Sequence, residues 1–371
     1  MAFRVRRLVT GHGDDGRARF ESDGTPPLSV DDAASGYAVS NLWQLGAAAT
    51  DPESGGDPQP GPWQLEPEPG GMSWRLVRMP PPRPGAADAL AAQMHADPRF
   101  DPKRPGFHRT DTLDFVQILG GRIALELHDE ELALGPGDCV VQRGTWHRWR
   151  VLGDEPCLYQ VVMLRPEPGA APVASTRVPR GSQGGSAVKR RRVVTDVVAG
   201  RSVFASDAPP ARAFATSAGL AFADLWQTAG PLCGPLQGGD LSAREWRTEP
   251  AGRGISWRMV TIPPERALAR VDPAETAREF AERAPGFGSD GEHHPERPGL
   301  HRTDTIDLLL VLEGEIELGL PGEPPRVLRA GDTAIQRGTW HEWHNRGDAP
   351  CSFSAVMIAT PRFRAGRVAA P

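Results

Sequence analysis

At 371 residues the chain is long enough to bury two cores of ordinary size. Its net charge of -5 at pH 7 leaves no electrostatic footprint for nucleic acid, and its four cysteines are too few for a disulfide scaffold. No apolar run reaches the length of a signal sequence or a membrane span, so a cytoplasmic protein with no membrane partner is expected.

In chain order, the sequence states one set of words and then repeats it. Arg6-Arg7-Leu8-Val9-Thr10 returns as Arg191-Arg192-Val193-Val194-Thr195, and Leu42-Trp43-Gln44 as Leu225-Trp226-Gln227. Ser73-Trp74-Arg75 returns as Ser256-Trp257-Arg258. The pentad His-Arg-Thr-Asp-Thr starts at His108 and at His301, and the hexad Gln-Arg-Gly-Thr-Trp-His ends at His147 and at His341. The second copy carries an insertion between Trp257 and His301. A repeat this long marks two whole domains, because solenoid units run to roughly 20–50 residues. The expected division is residues 1–164, a Pro/Gly/Ser-rich linker over 165–189, and residues 190–371. Residues 51–71, also rich in Pro and Gly, read as a surface loop.

Each copy has a β pattern. Residues 123–127 and 316–320 alternate with period two, and residues 113–119 and 306–312 are nearly all apolar, as in a strand covered on both faces. Gly137-Asp138 and Gly331-Asp332 are turn signals ahead of further apolar runs, and residues 157–164 and 351–358 close each copy. One short helix is expected per copy. Asp272-Pro273-Ala274-Glu275 is a helix start, with the helix running to about Arg283, and residues 86–96 are its Ala-rich counterpart.

The candidate chemistry lies in the two repeated words. His301 and Thr303 share a face of an extended strand, Asp307 keeps that face if the strand stays regular, and His341 arrives from a later strand. Two imidazoles and a carboxylate in one pocket would make a three-ligand metal site with open positions. The set is His108, Asp114 and His147 in the first copy, and His301, Asp307 and His341 in the second. An Asp inside an apolar strand needs a partner, and arginines nearby in the sequence offer a metal-free alternative. Gln142, Arg143, Gln336 and Arg337 are candidates for orienting an anionic or carbonyl substrate. Trp149 and Trp343 share the histidine face, either as packing or as an aromatic wall for a substrate. Trp43, Trp74, Trp226 and Trp257 read as core or subunit-contact positions, and His293 and His294 as surface-loop residues.

These words resemble the two motifs of the cupin superfamily, and the duplication resembles a tandem bicupin. The first cupin motif runs Gly, His-x-His, Glu, Gly. Gly106 and Gly299 lead it here, His108 and His301 stand at the first His, Asp114 and Asp307 at the Glu, and Gly121 and Gly314 at the last Gly. The second motif is matched from Gly137 through Gly144 to His147, and from Gly331 through Gly338 to His341, with its final Asn at Asn345 but Val151 in the first copy. Thr110 and Thr303 replace the second His of the first motif. Each half also resembles small single cupins, some of them from polyketide gene clusters and described as oxidoreductases.

The resemblance implies an all-β fold of two tandem double-stranded β-helix (jelly-roll) barrels. It implies a metal-dependent oxidoreductase, dioxygenase-like, acting on a small organic substrate that is aromatic or polyketide-derived. The cofactor would be a divalent metal, Fe(II) first, with Mn, Ni or Zn as alternatives. Further pairing into a homodimer is common in this superfold. Two other readings stay open: a metal-free bicupin that binds or senses a small molecule, and a metal-assisted isomerase, dehydratase or decarboxylase.

Overall fold

The structure is a computed structural model that describes residues 4–46, 64–82, 97–166, 190–230, 240–242 and 246–360. The expected linker from residue 167 onward, the expected helix over 86–96 and most of the 51–71 loop lie outside the described residues.

The first half contributes β1 (Arg7–His12), β2 (Ala18–Gly24), β3 (Leu28–Asp31), β4 (Ala38–Leu45), β5 (Met72–Met79), β6 (Leu113–Gly120), β7 (Ile123–Glu126), β8 (Glu131–Leu134), β9 (Cys139–Arg143), β10 (Arg148–Val151) and β11 (Cys157–Leu164). The second contributes β12 (Arg192–Val198), β13 (Arg201–Ala208), β14 (Arg212–Ala215), β15 (Ala221–Gln227), β16 (Ile255–Ile262), β17 (Glu292–His293), β18 (His301–Arg302), β19 (Thr305–Glu313), β20 (Glu315–Gly319), β21 (Arg326–Arg329), β22 (Thr333–Arg337), β23 (Glu342–His344) and β24 (Cys351–Ala359). Two helices, α1 (Glu265–Leu268) and α2 (Pro273–Arg283), lie between β16 and β17. The Asp272 carboxylate caps α2 by accepting from the Ala274 N–H at 2.9 Å, as the start signal predicts.

Each barrel is an eight-stranded sheet facing a three-stranded one. The first has the order β13-β12-β9-β6-β11-β5-β4-β3 opposite β10-β7-β8, and the second β14-β15-β16-β24-β19-β22-β1-β2 opposite β21-β20-β23. The all-β double-barrel class read from the sequence is the observed one. The halves also trade their first hairpins. β1 runs parallel to β22 of the second barrel, and β12 runs parallel to β9 of the first. Ion pairs fasten the exchange: a buried one from Arg143 to Asp196 at 2.9 Å and a half-buried one from Arg337 to Glu21 at 2.5 Å.

Three apolar clusters follow. One fills the first barrel, from Val116, Ile118, Ile123 and Val140 to Val193 of the exchanged hairpin. A second fills the other barrel, from Ile316, Leu318 and Phe353 to Leu8 of the opposite hairpin. The third lies between the barrels and joins Trp43, Trp74, Leu113 and Phe115 to Trp226, Trp257, Ile306 and Leu308. Strand β6 thus buries both faces, as its unbroken apolar run predicts, with Leu113 and Phe115 in the shared cluster and Val116 and Ile118 in its own barrel. The hairpin exchange is the arrangement two copies of one half would form. Residues 1–166 expressed alone are therefore expected to run as a dimer in light scattering, each copy lending β1 and β2 to the other. A well-folded monomer would contradict the equivalence of the two hairpin positions.

Candidate functional site

In each barrel the two motif histidines face each other across an antiparallel bridge. His108 N–H donates to the His147 carbonyl at 2.8 Å and receives the reverse bond at 2.9 Å; His301 and His341 do the same at 3.0 and 2.9 Å. The ring centroids are 4.3 Å apart in both pairs. Every one of the four rings turns Nδ1 to a carbonyl two residues back: Gly106 and Thr145 at 3.0 and 2.9 Å, Gly299 and Thr339 both at 2.9 Å. Gly106 and Gly299 take the left-handed φ values of 78° and 97°, which swing their carbonyls back toward the ring and would strain any other residue. A carbonyl only accepts, so Nδ1 carries the proton and Nε2 keeps its lone pair. Burial holds His108 and His301 below the ordinary imidazole pKa, and His147 and His341 well below it. Neutral imidazoles with a free Nε2 and a tethered Nδ1 have the chemistry of metal ligands.

The carboxylate does not join them. Among the described residues no three His, Cys, Asp or Glu side chains gather closely enough to hold an ion. The three-ligand convergence expected from the sequence, His108/Asp114/His147 and His301/Asp307/His341, is therefore corrected. The cause is a break in the strand. β18 ends at Arg302 and β19 begins at Thr305, so His301 lies opposite His341 while Asp307 lies opposite Gln336 on a separate ladder. The two imidazoles fit a cation; the Asp stands apart from them.

Asp114 and Asp307 end a short line of hydroxyls instead. Thr110 and Thr112 are 2.7 Å apart and Thr303 and Thr305 2.6 Å; Thr112 bonds the Asp114 carboxyl, and both Thr305 and Thr303 bond that of Asp307. The threonine that replaces the second motif histidine reaches the carboxyl through Thr112 in the first barrel and bonds it directly in the second. Burial pushes both Asp114 and Asp307 up to about 7, against the pull of those hydroxyls. One oxygen of each, Oδ1, is buried with no hydrogen-bond partner among the described residues.

Gln142 lies opposite Asp114 and touches Nδ1 of His147, whereas Gln336 is spent on Thr339 and Thr10. Arg143 and Arg337 do not face the site, which corrects their expected role. Strand parity puts them on the face opposite Gln142 and Gln336, over Trp226 and Trp43, in the ion pairs of the hairpin exchange. Trp149 and Trp343 do share the histidine face, edge-on to His147 and His341 at 6.2 and 5.9 Å. His293 stacks on His301 at 5.9 Å, closer to the site than a surface-loop reading implies.

Sequence reasoning missed several buried polar groups. Glu66 accepts from the Asp111 N–H at 3.0 Å and from Arg99 at 3.1 Å, and Glu249 accepts from the Asp304 N–H at 3.1 Å. Their charge helps to raise the adjoining Asp114 and Asp307. The repeated Glu-Pro words, Glu66-Pro67 and Glu249-Pro250, were the available signal. Arg75 and Arg258, on the inward face of β5 and β16, were also passed over.

The fold is a double barrel with one pair of facing histidines per half. A cupin domain model matches residues 98–163 and again residues 290–358, so a cupin domain is found in each half of the chain. Phomopsin biosynthesis cluster protein C' of Diaporthe leptostromiformis is 52% identical over 54 residues, 14% of this chain and 29% of that protein. The cupin-domain-containing oxidoreductase virC of Hypocrea virens is 41% identical over 46 residues, 12% of this chain and 24% of that protein. The matched stretch thus spans less than a third of the length of either relative. Among solved structures, a cupin 2 conserved barrel domain protein from Leptotrichia buccalis aligns over 90% of this chain and 96% of its own, with 8% identity and a TM-score of 0.38. Among the described residues, no helix is long and apolar enough to cross a membrane.

Proposed function

We propose that this bicupin is an enzyme acting on a small organic molecule, an oxidoreductase of dioxygenase-like type, and that its imidazole pairs hold a divalent cation. The observation that carries this is the doubled, buried His pair with every Nδ1 tied to a carbonyl and every Nε2 left with its lone pair. His108 with His147, and His301 with His341, would be the protein ligands. Imidazole ligation suits Fe(II), with Mn, Ni and Zn as alternatives. A bound cation would supply Lewis acidity or electron transfer. The protein supplies the rest. Asp114 and Asp307, poised near neutrality by burial, hold or release a proton inside the barrel, and Trp149 and Trp343 limit the space beside the rings. The oxidoreductase naming of virC supports the redox reading over a matched stretch of 46 residues.

A second reading has its own support. Because the Asp stands off from the imidazoles, a metal-free pocket that binds a small molecule accounts equally for a hydroxyl-bonded, protonated acid. Metal analysis of untagged protein separates the two. Stoichiometric transition metal, lost from His147→Ala and His341→Ala but retained in Asp307→Asn, is the expected result. Metal-free protein that takes up no Fe(II), Mn, Ni or Zn on titration would leave the binding reading.

A further inference from the structure

The two barrels differ at one buried charge. In the second, Arg258 on β16 faces Asp224 on β15, and Nε meets the carboxylate at 2.5 Å. A second nitrogen donates to the Arg247 carbonyl at 2.6 Å, and the guanidinium lies 5.0 Å from the Phe287 ring. That cation is neutralised and covered. In the first barrel Arg75 holds the same position on β5, but the residue opposite it on β4 is Asn41. Arg75 donates to the Leu65 carbonyl at 3.1 Å, its Nε is buried with no partner, and it has no ion pair among the described residues.

The residues around Arg75 differ in the same direction. The chain has only two tyrosines, and both stand beside this arginine. Tyr159 lies diagonally across β11, where the second barrel has Phe353 on β24. Tyr37 precedes β4, where the repeat places Leu220 before β15. Val30 and Val39 pair where Phe214 and Phe222 pair in the second barrel. There Phe214 and Phe222 pack with Trp246, Phe280 and Phe287 into an aromatic plug. One barrel interior is therefore filled and charge-balanced. Among the described residues, the other has a guanidinium, two phenols and smaller apolar side chains on the sheet face that also carries Asp114.

We propose that the first barrel takes a small organic carboxylate, with Arg75 binding its anionic end beside the hydroxyls of Tyr37 and Tyr159, and that Asp224 fills this role permanently in the second barrel. The inference rests on the reading of the barrels as small-molecule sites and narrows the substrate class. Arg75 is partly buried with its Nε unpartnered, and Asp114 acts on it electrostatically without an ion pair, so a planar carboxylate from outside would restore the direct partner that Asn41 lacks. The result is a chain with one receptive barrel and one closed barrel.

The test uses the full chain, with benzoate as probe and neutral benzamide as its isostere, followed by calorimetry before and after EDTA treatment. Benzoate is expected to bind saturably at one site per chain, with benzamide weaker by about tenfold or more. Asn41→Asp supplies an ion pair the second barrel already tolerates, so it should unfold no earlier than the parent yet weaken benzoate by about tenfold or more. Arg75→Met should do the same, and Arg258→Met should leave binding unchanged. Binding that survives chelation and fails in Asn41→Asp supports the inference whatever the metal analysis gives. Binding lost on chelation but intact in Asn41→Asp would place the anion on a cation at the imidazoles, overturning this inference while leaving the metal reading in place. Absence of saturable binding, or equal binding of benzamide, would also overturn it.

Discussion

In metal-free protein at pH 8, Asp307→Asn is expected to raise the free energy of unfolding by about 2–4 kcal/mol, and to leave it nearly unchanged at pH 4. Burial pushes the folded carboxyl up to about 7, whereas the unfolded one keeps the ordinary value of 3.8. Between those values the folded state binds the extra proton, so this group's contribution falls as pH rises from about 4 to 7 and is flat beyond. Each pKa unit is worth about 1.4 kcal/mol, which sets the upper end of the range; structural relaxation sets the lower. Asn does not titrate and keeps an oxygen for the Thr303 and Thr305 hydroxyls. The buried histidines act oppositely. Their folded pKa values are depressed, so the unfolded state takes up protons first as pH falls, and they favour folding as pH rises through the unfolded imidazole value. The difference between variant and parent cancels that contribution. Asp114→Asn should behave alike, and the double variant additively, because the two acids lie in separate barrels. Urea unfolding at both pH values measures it. Acid variants no more stable than the parent at pH 8 would mean that these carboxylates are ionised and satisfied at neutral pH.

How much of this was readable beforehand depended on the range of the cause. Strand period, turn glycines and the Asp272 cap are local, and the sequence displays them. The hairpin exchange was hidden because β1 and β12 carry near-identical words, so nothing local says which barrel either one joins. Arg143 and Arg337 follow Gln142 and Gln336 by one residue, so strand parity turns them to the opposite face although they are adjacent in sequence. The position of Asp307 turned on a strand break at Thr303-Asp304, which extends over too few residues to leave a periodic trace. The contrast of Asn41 with Asp224 was visible in the aligned repeats. Its meaning was not, because only the register shows that each faces an arginine.

The exchange and the shared cluster make the two barrels one cooperative unit, and Trp257→Ala is the substitution that should expose this. Trp257 is fully buried between the barrels, stacked on Phe115 of the opposite half at 5.1 Å, with its indole N–H on Ser354 Oγ at 2.9 Å. The bonding continues into the first half, because Gln160 reaches the same Ser354 oxygen at 3.2 Å and also accepts from the Trp74 indole at 3.0 Å. Truncation removes the largest side chain at the centre of this network, and neither barrel can close the gap without disturbing the other. The expected cost is about 3–5 kcal/mol, a large fraction of the stability of an ordinary domain. The informative readout is the shape of the transition. Scanning calorimetry should give a single endotherm in the parent and a single, lower one in the variant, because each barrel's sheet contains strands from the other half. Were the barrels independent, the loss would be confined to the second and the endotherm would split. A split would show that the packing of Trp74, Phe115 and Trp257 is a contact between finished domains rather than part of a common core.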